Sequence, residues 1–317
     1  MPAAPRITRP KLTPDEVVAL GRRLCNWTTW GADDQRGTVN HLTAEVTAAA
    51  AALVRRGTIH ALSIPVDRNG PVTTSPRRFN PHHFMIVLPT EQLRDGGVGT
   101  SDDVVVMPLQ SGTQWDALSH FAHDGVLYGG RPATLVSSAG AAVNDISNIA
   151  DRLATRGVLA DIARFRGVAS LEPGEPIEVE EIEATLESQG VDVSSGCALL
   201  VRTGYLAHCR AQAWSGYGDA APGLAMSTLE WLHDRRVAAI ATDTYAVEVK
   251  PYQAERFASP FHVVGLVFMG LLLGEIFDMD QLADDCAMDG IYEFLFVAPG
   301  LPVTGAVGTP VNPYAIK

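Results

Sequence analysis

Gln110-Ser-Gly-Thr-Gln-Trp-Asp-Ala-Leu-Ser-His120 is the stretch on which the reading of this chain turns. It follows the apolar run Val104-Val-Val-Met107, which the pattern assigns to a buried strand, and Gly112 suits a tight backbone turn after it. In an α/β fold, the turn leaving a buried strand is where ligands collect. Asp116 and His120 stand four apart, so a helix over 114–120 would set a carboxylate and an imidazole on one face. That pair suits Zn²⁺ or Mn²⁺. The same spacing also describes an ordinary hydrogen-bonded pair on a helix surface. Gln110 and Gln114 would lie nearby, but a neutral amide oxygen is a poor ligand beside imidazole.

Working outward, the second informative stretch runs from Pro260-Phe-His262 through an apolar segment to Gly274-Glu275. Taken alone, His262 is a histidine at the edge of a core and Glu275 a solvated acid. Together, Asp116, His120, His262 and Glu275 would suffice for one divalent ion with an open position for water. Asp161 and Asp243 each close an apolar strand. Arg202, before Thr203-Gly204, is read either as a carboxylate-binding fork or as half of a structural salt bridge. His82 and His83, after a Pro/Arg/Asn-rich loop at 67–82, would line an entrance or simply be solvated. Trp115 would wall a pocket or sit in the core.

The rest of the chain supplies a scaffold of mixed helices and strands. Thr13-Pro-Asp-Glu16 reads as a capped helix start, and Thr43 to Arg56 as an Ala-rich helix. Ile177 to Gln189 and Ser227 to Asp234 read as further helices. Residues 58–66, 83–90, 103–109 and 158–162, Ala198 to Arg202, Val237 to Asp243 and Ile291 to Val297 read as strands. No repeat or composition shift divides the 317 residues, so the expectation is one α/β domain over 1–317, with residues 1–12 a flexible N-terminal arm.

Composition narrows the function classes. Apolar residues make up 46% and charged residues 19%, with a formal charge of −12. No basic cluster offsets that charge, which argues against nucleic-acid binding. The N-terminus lacks an apolar signal core and Val263 to Leu273 is too short to span a bilayer, so no membrane association and a cytoplasmic location are expected. The four cysteines form no C-x-x-C pair, as in a reducing compartment. No Walker loop, dinucleotide fingerprint or nucleophile elbow is present.

The chain resembles the cyclase family that includes bacterial kynurenine formamidase and isatin hydrolase. That family's mark is a metal-binding turn, His-x-Gly-Thr-His-x-Asp-x-Pro-x-His, which reads here as Gln110-Ser-Gly-Thr-Gln114-Trp-Asp116-Ala-Leu118-Ser-His120. Trp30-Gly31, Arg36-Gly-Thr38, Arg202-Thr-Gly204, Gly274-Glu-Ile-Phe277 and Thr304-Gly-Ala-Val-Gly308 extend the likeness along nearly the whole chain. The resemblance implies a swivelling β/β/α domain, with mixed sheets forming a barrel-like core and flanking helices, and a homodimer or homotetramer.

It also implies a metal-dependent hydrolase of a small, often aromatic or cyclic, amide, lactam or ester. The alternatives are a lyase (cyclase or dehydratase) and a non-catalytic binding homologue. Candidate catalytic residues are His120, Asp116, Gln114, His262 and Glu275. Candidate substrate contacts are Trp115, Gln110, Phe121, Arg202 and His83. Thr113 or the amides of Gly112 and Thr113 would support an oxyanion. Two family histidines are glutamines here, Gln110 and Gln114, which weakens the site those imidazoles serve. The expectation is therefore at most one divalent ion, zinc or manganese, on Asp116, His120, His262 and Glu275, with a weakly held or absent ion as the alternative.

Overall fold

A computed structural model describes residues 9–317 except 74 and 92. Residues 1–8 of the expected arm lie outside the described residues. Arg9 meets Glu178 and Glu180, and Leu12 bonds to the backbone of Gln253 and Glu255.

Nine strands form the main sheet: β1 (Ile59–Ala61), β2 (Gln114–Asp116), β3 (Ala154–Asp161), β4 (Ala198–Arg202), β5 (Ala239–Thr242), β6 (Leu272–Glu275), β7 (Glu293–Val297), β8 (Gly308–Pro310) and β9 (Tyr314–Ile316). Their order across the sheet is β1-β9-β7-β3-β4-β5-β6-β2-β8. The four central strands β3 to β6 run parallel, and antiparallel strands continue the sheet on both sides. The sheet curls into a half-barrel with helices against it, in agreement with the fold class expected.

Parallel strands must be covered on both faces, and their sequences show it. Val158, Ala160, Leu199, Val201, Ile240 and Leu273 face one core, which the helices Pro14–Arg23, Val179–Gln189 and Thr228–Asp234 close. The alternating residues Leu159, Leu200, Ala241 and Leu272 face a second core, closed by the helix Asp280–Asp289 and by Phe294 and Phe296. The period-2 geometry of a strand makes this division.

Most expected elements appear with shifted ends. Thr13 and Glu16 form the reciprocal cap of the first helix. The helix expected over 43–56 spans only Ala44–Ala51. The apolar run from Val263 breaks into a π-helical turn, Val263–Met269, and then β6. The runs near 83–90 and 103–109 do form strands, His82–Val87 and Asp102–Val106, but these pair only with each other as an exposed hairpin. The motif therefore follows an exposed strand rather than a buried one. Among the described residues no helix is long and apolar enough to cross a membrane. Cys197, Cys209 and Cys286 are buried, and no cysteine is disulfide-bonded.

Candidate metal centre

The motif is strand and turn, not helix. Gln114–Asp116 is β2, sandwiched between β6 and β8, with Gln114 opposite Glu275 and Asp116 opposite Leu273. Alternation along β2 puts Gln114 and Asp116 on one face, beside Glu275 of the neighbouring strand. Trp115 points the other way. It is fully buried, donates its indole N–H to the Ala298 carbonyl and packs on Phe277 and Phe296. A Cβ on Gly274 would lie 2.5 Å from the Trp115 ring, so glycine there is what admits the indole. Trp115 is a core residue and not the pocket wall entertained above.

His262 reaches the same face from the short helix Pro260–His262. Its position is fixed by Glu248, a residue the sequence reading did not single out. The Glu248 carboxylate accepts from the backbone N–H of Phe261 (3.0 Å) and of His262 (3.4 Å), and lies 2.6 Å from His262 Nδ1. That contact turns His262 Nε2 inward, 3.1 Å from Glu275 Oε1 and 3.8 Å from Asp116 Oδ2. Asp116, His262 and Glu275 each offer a ligand atom within 4.8 Å of the others, and all three are buried. Two carboxylates and an imidazole are a donor set suited to a divalent ion, and Glu248 is the outer carboxylate that such a histidine uses.

His120 stands just outside this group. Its Nε2 is 3.8 Å from Asp116 Oδ1, and its side chain is more exposed than that of His262. Phe121 covers both histidines, its ring centroid 4.8 Å from that of His262 and 5.2 Å from that of His120. Gln114 Nε2 donates to Glu275 Oε2 (2.8 Å) and Asp116 Oδ1 (3.4 Å), which leaves Gln114 Oε1 buried without a partner. Gln110 Nε2 is also buried and unpartnered.

Burial raises the Asp116 carboxyl to about 6, against the opposing pull of His120. Burial also dominates at His120 and lowers it, so its imidazole is neutral at pH 7. For His262 burial works downward, but the hydrogen bonds to Glu248 and Glu275 outweigh it and raise the ring to about 10.

The other expected contacts lie elsewhere. Arg202 is the salt bridge of its two readings: its guanidinium binds Asp161 and Asp280, both at 2.8 Å. Asp161 also caps the helix Ile162–Arg166, and Asp243 accepts from Thr203 and Gly204. His83 is half exposed on the hairpin and pairs with Asp103 there. The Thr113 hydroxyl is occupied, donating to Ile276 O and accepting from Ile64 N.

The sequence model of the Cyclase family matches residues 36–249. The chain belongs to the Cyclase family. A solved structure described as a novel cyclase is 38% identical, superposes with a TM-score of 0.84, and is matched over 94% of this chain and 99% of that one. An isatin hydrolase bound to the product analogue thioisatinate shares the fold at 14% identity, with a TM-score of 0.60 over 86% and 98% of the two chains. Isatin hydrolase A from Ralstonia solanacearum does so at 19% identity, with a TM-score of 0.59 over 86% and 97%. Among curated proteins no match was found. The Asp116–His262–Glu275 group thus sits within a cyclase-family fold, drawn from β2, the helix Pro260–His262 and β6.

Proposed function

We propose that this chain is a hydrolase of a small aromatic or cyclic amide, lactam or ester, using one divalent ion, zinc or manganese, held by Asp116, His262 and Glu275. The convergence of those three buried ligand atoms carries the reading, and the isatin hydrolases of the same fold support it. A bound ion would supply Lewis acidity and acidify water. The protein's own groups do the rest. Neutral His120, beside Asp116 and partly open, takes a proton from the attacking water and returns it to the leaving nitrogen or oxygen. Glu248 holds the His262 ring in place. The Phe121 ring forms an apolar wall for an aromatic substrate.

Elemental analysis of the protein as isolated, with turnover of formanilides, lactams and aryl esters in ¹⁸O-labelled water, tests this. One equivalent of metal per chain, lost in Asp116→Ala, with label in the product is expected. Two equivalents, or turnover without label, would overturn it.

One observation favours a second reading, a metal-free lyase. Both ring nitrogens of His262 already face carboxylates and Gln114 bridges Glu275 and Asp116, so these groups are partnered without an ion. Activity undiminished by chelator, without water incorporation, would select it.

We also propose that the protein is a cytoplasmic homo-oligomer, a dimer or tetramer. One hairpin face presents Phe84, Val104 and Val106, exposed, with Ile86 nearby and Asp102 at its end, while the opposite face carries the His83–Asp103 pair. Exposed apolar faces of this kind are typical of permanent interfaces between identical chains. Sedimentation should show an oligomer that Phe84→Asp with Ile86→Asp dissociates; a monomeric parent would refute it.

A further inference from the structure

We propose that the Arg78 guanidinium and the Gln110 side-chain amide form an anion-binding subsite beside the Asp116–His262–Glu275 centre, and that it takes a carboxylate carried by the substrate. This deepens the hydrolase reading and rests on it only in taking the occupant to be the substrate.

Two independent observations meet at this spot. The first is Gln110, which is nine-tenths buried with Nε2 lacking any partner. An unpaired buried amide N–H carries a desolvation cost, so its persistence calls for an acceptor that the protein itself does not provide. Its place is set by β8. Gly308 is the residue paired with Asp116 across the β2–β8 ladder, and a Cβ there would come within 2.6 Å of Gln110 Nε2. The absent side chain at 308 lets the amide lie on the sheet face next to Asp116.

The second is Arg78. This half-buried guanidinium makes no ion pair among the described residues, although acids are plentiful in a chain of net charge −12. Its hydrogen bond runs from Nη1 to the Gln110 carbonyl at 3.3 Å, and its Cζ lies 6.0 Å from the centroid of the Tyr245 ring. The bond to the Gln110 main-chain carbonyl holds it beside the residue that carries the buried amide, and the Tyr245 ring faces its plane. Its charge reaches the centre, where it acts on both Asp116 and His120. A guanidinium edge with one adjacent amide N–H matches the two oxygens of a carboxylate. A phosphate dianion fits worse, because a single arginine would face Asp116, Glu275 and Glu248 as well.

Binding of benzoate and of its neutral isostere benzamide, measured by calorimetry on the full protein, tests the subsite without any turnover. Benzoate should bind wild type at least about tenfold more tightly than benzamide. Arg78→Gln should remove that preference while leaving benzamide binding unchanged. Arg78→Lys should keep part of it, and Gln110→Leu should weaken benzoate severalfold. Unchanged melting temperatures show that the variants are folded. Equal binding of the two probes, no benzoate binding, or benzoate affinity intact in Arg78→Gln but abolished by chelator would overturn the subsite. Failure of the hydrolase reading looks different: no amide, lactam or ester is turned over, whatever benzoate does.

Discussion

Two groups of acids sit at strand ends of the same sheet, and the molecule treats them differently. At the ends of β3 and β4, Asp161 is held by Arg164 and Arg202, and Arg202 by Asp280 as well. Every charge there has an opposite partner within hydrogen-bonding distance. At β2 and β6, Asp116 and Glu275 share one imidazole and one amide, with Gln110 Nε2 and Gln114 Oε1 left unpaired. From the sequence, Glu275 and Asp161 look alike, each an acid closing an apolar run. What separates scaffold from site is whether the polar groups are satisfied by the chain itself.

Mutation should expose that difference. The largest effect is expected from His262→Ala or Asp116→Ala, each lowering kcat/KM by at least about 10³-fold, or about 4 kcal/mol of transition-state stabilisation, in steady-state assays. Asp161→Ala should instead cost roughly 3 kcal/mol of folding stability in urea titrations, with kcat per folded molecule almost unchanged. If the two variants exchanged phenotypes, the contrast would collapse.

Glu248→Gln tests whether His262 needs its carboxylate. Metal affinity should fall about 10- to 100-fold by competition with a chelator, while the fold survives. A smaller effect comes from pH. His262 is raised to about 10 in the metal-free fold, against about 6.5 when unfolded. The native state thus binds the proton more tightly. The resulting stability is full below about pH 6.5 and fades as pH rises toward 10, by at most about 1.4 kcal/mol per unit. Asp116 and Asp243, each raised to about 6 by burial, give the same downward sense between about pH 4 and 6. Urea midpoints across pH in chelator should show the upper slope, and His262→Gln should flatten it. The smallest effect belongs to the exposed Arg23–Glu230 pair, where Arg23→Gln should cost under about 1 kcal/mol.

Much of this was legible in the sequence, for reasons that explain the exceptions. Central strands such as Ala198–Arg202 announce themselves because burial on both faces demands an unbroken apolar run. The first helix is spelled out by its Thr13–Glu16 cap. The structure brings together Asp116, His262 and Glu275, which the sequence had singled out, but the helical face assigned to Asp116 and His120 was wrong. A three-residue strand shows no period, and it is alternation that joins Gln114 to Asp116 and sends Trp115 into the core. Glu248 was invisible because it lies outside any strand or helix, and a lone acid in Tyr245-Ala-Val-Glu-Val249 gives no periodic signal. Arg78 was passed over for the same reason, within a loop rich in proline and arginine. The hairpin misled because its valines read as core, whereas Val104 and Val105 are exposed.

The seating of β9 between β1 and β7 bears on how the protein is made. Among the described residues Ile59 to Ala61 have Tyr314 to Ile316 as their strand partner, so a strand made early waits for one made more than 250 residues later. Through most of translation that edge has no mate, and contacts so distant along the chain close slowly. Deleting residues 314–316 should therefore trap a nascent species that chaperones retain, even though the metal-centre strands β2 and β6 are already complete.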